Sequence, residues 1–246
     1  EIASCLVGSE MCIRDSAKSG AGIGGGTGGG NSITITDNAV VNARSHFDAA
    51  IGGGDDAGRY NSPNTITISG NATVHAETSQ RDCAIGTSGD GSLSDLTINI
   101  EENANVTAIS SHDVPAIGNA ACHDDTTTTI NITGGTVNAI NSYGSDNPSY
   151  PNDGTGNTSP AIGTTIDSDC GGTCNVNINS STGDTVVNAY IYGKGKLLFF
   201  DSCIIIAIDD GRVAFAKVGG TVCLVTGAVS RDILIFDLCL LYTSPS

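Results

Sequence analysis

The sequence predicts an all-β fold, a parallel β-helix (β-solenoid) of about five coils, followed by an irregular β-rich C-terminal segment. Three observations predict it. One apolar block recurs five times, a second block recurs between its copies, and the apolar residues of the first alternate with the period of a strand.

The first block reads Ile33-Thr34-Ile35-Thr36-Asp37-Asn38-Ala39-Val40-Val41-Asn42-Ala43. It returns from Ile66 to Ala76 and from Ile98 to Ala108 with the same interior. The fourth copy, Ile130 to Ala139, is one residue shorter and carries Gly134-Gly135 at its middle. The fifth is looser, with Val176-Asn177-Ile178 and then Val187-Asn188-Ala189. Ile-x-Ile and Val-x-Ala place their apolar residues on one face of a strand. Asn-Ala or Gly-Gly between them predicts a bend, because Asn and Gly tolerate left-handed backbone angles.

The second block is Gly22-Ile23-Gly24, then Ala-Ile-Gly at 50–52, 84–86, 116–118 and 161–163. The intervals between its isoleucines are 28, 34, 32 and 45 residues. It predicts a corner that closes each turn of chain. Two short strands cannot bury one apolar face alone, but stacked coils can, with parallel neighbours about 4.8 Å apart. Five coils then make a rod roughly 24 Å long. The longest insertion, residues 140–160, falls between Ala139 and Ile162 and holds Asn147-Pro148 and Tyr150-Pro151. A leucine-rich repeat lacks its leucines here, a propeller blade needs about forty residues, and an antiparallel sandwich does not demand near-identical blocks.

The two ends read differently. Gly8 to Asp15 and Cys239 to Ser246 can be encoded by one DNA segment in opposite orientations, shifted by one base. That segment resembles the transposase end-sequence used in making sequencing libraries. Residues 1–16 and 239–246 are therefore expected to be translated adapter and are set apart from fold reasoning. Met11, the sole methionine, falls inside it, so an internal fragment is expected. Cys5, Cys12 and Cys239 drop out with it, which leaves six cysteines of nine.

The chain carries −16, and residues 1–16 account for −2 of it through Glu1, Glu10 and Asp15 against Arg14. An excess of −14 on the remainder argues against nucleic acid as a partner, since phosphate binding needs clustered Lys and Arg. No lysine lies between Lys18 and Lys194, and Arg44, Arg59 and Arg81 are the basic residues of that span. This composition, rich in Thr, Asn, Asp and Gly, predicts an extracellular or cell-surface setting. Regular apolar alternation argues against the disorder that high charge can bring.

Residues 191–238 break the repeat. Leu197 to Phe200, Ile204 to Ile206 and Ile233 to Phe236 read as strands, and Lys194, Lys196, Arg212, Lys217 and Arg231 raise the basic content. A cap on the open end, a second module, or out-of-frame translation each account for it. No run reaches the ~20 apolar residues of a membrane helix.

Candidate ligand positions fall into three groups. Asp55-Asp56, Asp124-Asp125, and Asp167 with Asp169 are acidic loop clusters that could supply oxygens to calcium, although turns favour Asp in any case. Thr34, Thr67, Asn99, Asn131 and Asn177 form an outward column that could meet a polysaccharide or ice, or simply support the coil by side-chain stacking. Tyr60, Tyr143 and Tyr150 are the aromatic platforms nearest the repeats. Cys170 and Cys174 could close a small loop, Cys83 and Cys122 sit in loops of adjacent coils, and Cys122-His123 lacks the doubled spacing of a zinc site. The remaining histidines, His46, His75 and His112, are scattered, and His75, between Val74 and Ala76, should face solvent. No nucleophile elbow or Cys-His-Asn set is present, and no catalytic residue is assigned.

The Ile-Gly-Gly-Gly and Thr-Ile-Thr-Ile-x-Gly wording of residues 21–189 resembles tandem-repeat cell-surface proteins of gut and soil bacteria. Those are adhesin-like or carbohydrate-binding, with a pectate-lyase-like β-helix. The resemblance implies a non-enzymatic, structural or adhesive protein that binds polysaccharide or a cell-surface glycan. The alternative it implies is the scaffold of a calcium-dependent polysaccharide lyase. A lyase needs a base, and the repeats offer only the three arginines.

Overall fold

Alternating Ile and Val cannot leave water on one strand alone, and a computed structural model of the chain shows how they do so together. It describes residues 4–7, 12–17, 20–24, 32–54, 64–80, 82–87, 95–120, 126–142, 159–165, 173–178 and 185–191, with four short strands between 198 and 223. Three parallel sheets run along one axis, and no described residue is helical.

The first sheet stacks Ser32–Ile35, Asn64–Ile68, Leu96–Ile100, Thr127–Ile132 and Thr173–Ile178. Its register aligns Ile33, Ile66, Ile98, Ile130 and Val176 in one column. The second sheet stacks Val40–Ser45, Thr73–Thr78, Asn105–Ser110, Thr136–Asn141 and Val186–Ile191. There Val41, Val74, Val106, Val137 and Val187 align, as do Ala43, Ala76, Ala108, Ala139 and Ala189. These columns meet inside the coil as one continuous core in which nearly every Ile, Val and Ala is fully buried. Each fully buried isoleucine contributes about 1.5–3 kcal/mol by leaving water.

The Ala-Ile-Gly block is more than a corner. Ile23–Gly24, Ile51–Gly52, Ile85–Gly86, Ile117–Asn119 and Ile162–Thr164 form a third parallel sheet with Ile on Ile and Gly on Gly. The glycines Gly24, Gly52, Gly86, Gly118 and Gly163 share a φ of 138 to 143°. A Cβ on any of the first four would collide with the carbonyl oxygen of the glycine in the next coil. Backbone from successive coils packs here with no room for a side chain.

The bend between the first two strands corrects the expected role of asparagine. The left-handed residues are Asp37, Gly70 and Glu102, each one position before the Asn. A turn hydrogen bond closes around them, from Ala39 N–H to the Thr36 carbonyl, from Ala72 to Ser69 and from Ala104 to Glu101. Asn38, Asn71 and Asn103 serve instead through their side chains. The Asn71 amide donates to Asn38 Oδ1 and the Asn103 amide to Asn71 Oδ1, both at 3.1 Å. In the shorter fourth copy the left-handed position is Gly135.

Ser4–Val7 and Cys12–Ala17 pair in parallel with Ser32–Ile35 and Val40–Ser45. An open sheet edge accepts an extended segment through backbone groups alone. Among the described residues beyond 191, Leu198–Phe199 pairs with Ile204–Ile205 and Ala216–Val218 with Thr221–Cys223, both antiparallel.

Candidate ligand-binding surfaces

The outward faces of the first and second sheets differ in chemistry. On the first, Ser32, Thr65, Thr97, Thr129 and Asn175 share one column, and Thr34, Thr67, Asn99, Asn131 and Asn177 the next. Neither column carries a charge. In the second column the side chains bond along the rod. The Asn99 amide donates to Thr67 Oγ1 at 3.4 Å, Asn131 to Asn99 Oδ1 at 2.9 Å, and Asn177 to Asn131 Oδ1 at 2.9 Å. Each amide uses one N–H in the ladder and keeps a second, with oxygen lone pairs besides. The register thus joins all five residues singled out in the sequence, Thr34, Thr67, Asn99, Asn131 and Asn177, in one column.

The second sheet gathers the charged and aromatic groups. Arg44 and Glu77 are register partners, as are Asn42 and His75. The Arg44 guanidinium lies 2.9 Å from Glu77 Oε2, and His75 Nε2 lies 3.6 Å from the same oxygen. One position further out, His46 Nδ1 and the Ser79 hydroxyl are hydrogen-bonded at 2.6 Å. The Phe47 ring meets the His46 imidazole edge to face, with centroids 4.2 Å apart, and remains 50% exposed. As its position between Val74 and Ala76 foretold, His75 faces outward.

A third set of polar residues is buried and escaped the sequence reading. Ser45, Thr78, Ser110 and Asn141 end the second-sheet strands with side chains turned inward. Each tethers the chain that follows or precedes it. Ser45 Oγ donates to the Gly20 carbonyl (3.2 Å), Thr78 Oγ1 to Asp82 (2.8 Å) and Ser110 Oγ to Val114 (2.9 Å), while Asn141 Nδ2 reaches Val114 O at 3.0 Å. Asp48 and Asp113 act alike from the corner, accepting from the backbone N–H of Gly20 and of Ser159 in a neighbouring coil. The signal was present as a small polar residue two positions after the Ala of Val-x-Ala.

No protein family, curated protein or solved structure matches the chain. Its site must be read from its own residues.

Cys83 is fully buried beside Val114 and Ala120. Burial first, and then the Asp82 carboxylate, push its thiol well above the ordinary range, against a weaker opposing hydrogen bond with the Thr87 backbone. A neutral buried thiol is unreactive, so Cys83 acts as a small apolar residue. Among the described residues no three His, Cys, Asp or Glu side chains converge as a metal-ligand group. The acidic clusters Asp55-Asp56, Asp124-Asp125 and Asp167/Asp169, the platforms Tyr60, Tyr143 and Tyr150, and Cys122, His123 and Cys170 lie outside the described residues. No helix is long and apolar enough to cross a membrane among the described residues.

Proposed function

We propose that the chain is a non-enzymatic, surface-displayed or secreted repeat protein that serves as a stalk or adhesin and contacts polysaccharide or cell-surface glycan. The observation that carries this reading is the Thr34–Thr67–Asn99–Asn131–Asn177 column. Its amides are already held by one another, so they lose little side-chain freedom when a partner arrives. They offer an uncharged row of donors and acceptors repeating about every 4.8 Å along a rod. A polymer of hydroxyl groups can match such a row at many points. The buried tethers serve the coil itself, and Arg44 is held by Glu77, which favours binding over proton abstraction.

The experiment is a glycan microarray probed with the full chain, with chromatography of the supernatant afterwards. Binding without released product is the expected result. Release of unsaturated oligosaccharides from pectin in added calcium overturns the reading in favour of a lyase.

A further inference from the structure

We propose that the outward patch formed by Phe47, His46, Ser79, Arg44, Glu77 and His75 is a binding site for one neutral pyranose unit of a glycan. The proposal rests on the reading that the rod contacts carbohydrate, and it adds a second, separate contact on the second sheet, away from the polar ladder of the first.

Convergence is the first argument. Among the described side chains Arg44 is the only Lys or Arg, and Phe47 is the only phenyl or phenol ring. They lie three residues apart on one coil, Phe47 packs against the adjacent His46, and the register brings Glu77 and Ser79 of the next coil up to them. Arg44 pairs with Glu77 across adjacent strands, and His46 reaches Ser79 by the same step. Successive outward residues of a strand are about 6.6 Å apart and neighbouring strands about 4.8 Å. Glu77 and Ser79 therefore frame an area about the size of one sugar ring, with Phe47 at its margin.

The chemistry of the groups is the second. A half-exposed phenyl ring, fixed edge to face against His46, presents an apolar surface to the C–H side of a pyranose. Glu77 accepts only, Arg44 donates only, and Ser79 and the two imidazoles can do either. Vicinal hydroxyls both donate and accept, so they satisfy such a mixture where a simple ion cannot. The ion pair is 2.9 Å long, yet its side chains are 59% and 37% exposed, so a ligand can reach the pair from solvent.

Charge selects within the sugars. Arg44 and Glu77 cancel, and the patch sits on a chain of net charge −16. A uronate approaching it meets repulsion and finds no uncompensated cation. A neutral hexose meets neither penalty.

The test compares the full chain with Phe47→Ala and Glu77→Gln, both at exposed positions, after circular dichroism establishes that each variant melts as wild type does. Binding is measured on a microarray and by titration with neutral methyl hexopyranosides and with galacturonate. The wild type is expected to retain neutral glycans, and each variant to bind them about tenfold more weakly. Wild-type binding that both variants retain overturns this site while leaving the glycan-binding reading intact. A preference for galacturonate overturns the neutral assignment. Failure of the wild type to retain any glycan overturns both the site and the reading beneath it.

Discussion

The Gly118 carbonyl oxygen occupies the position that a Cβ on Gly86 would need. The same relationship joins Gly24 to Gly52, Gly52 to Gly86 and Gly118 to Gly163. Backbone cannot withdraw here as a flexible side chain could. Each of these glycines also has a φ near +140°, which side chains rarely adopt. Gly86→Ala is therefore expected to destabilise the chain by more than about 3 kcal/mol. A urea transition with a midpoint equal to that of wild type refutes the glycine column.

Asn131 stands between two partners, donating to Asn99 and accepting from Asn177. Asn131→Ala removes both bonds on a partly open face. The expected cost is about 1–3 kcal/mol, from roughly 0.5–1.5 for each bond. Asn177→Ala ends the ladder one step earlier and should cost about half as much. Equal losses in equilibrium urea unfolding contradict the ladder.

Asp37 holds a left-handed backbone with φ of 58°, whereas Asn38 does not. Asp37→Gly relieves a strain of about 1–2 kcal/mol at the entropic cost of glycine, for a net gain of about 0.5–1 kcal/mol. Asn38→Gly loses the bond from Asn71 and should destabilise. Thermal melting of the two variants distinguishes the residue that turns the chain from the one that braces it.

The pH dependence follows from Cys83. Its folded-state thiol is raised above the unfolded one, so its contribution is fully present below about pH 8.5. It is lost as pH rises from there towards the folded value, at about 1.4 kcal/mol per pH unit. Wild type should therefore lose stability relative to Cys83→Ala between pH 8 and pH 10, measured by urea unfolding. A constant difference across that range contradicts the burial. Alkylation mapped by mass spectrometry should leave Cys83 unmodified until the chain unfolds.

The Arg44–Glu77 pair is exposed on both sides. Its contribution to stability should be about 0–1 kcal/mol and should fade in salt. A double-mutant cycle in low and high salt measures it. A coupling well above that range assigns the pair a structural role and weakens its reading as a recognition feature.

Much of this fold was legible because Ile33, Ile66, Ile98 and Ile130 repeat with the same neighbours, and parallel stacking places like on like. The third sheet was legible only as a corner, since two residues such as Ile85 and Gly86 are too short to show a strand period. The bend was assigned to Asn because that residue tolerates left-handed angles, yet Asp37 and Glu102 adopt them while the Asn side chains bond coil to coil. The Phe47 patch was hidden for a different reason. Arg44 and Glu77 look unrelated along the chain and become neighbours only when the coils are superposed at Val41 and Val74. Comparing outward positions coil by coil would have found them.

The glycine contact gives every junction the same lock and the same key. A unit of about 32 residues that carries its own Ile-Gly can be copied or deleted whole, and its neighbours meet the same Ile-Gly contact they lost. The insertion before Ile162 shows the complementary freedom: a loop may lengthen while the junction stays fixed. Growth by duplication therefore needs no compensating change at the junction, and reach can vary by whole steps while outward residues such as Arg44 or His75 diverge one coil at a time.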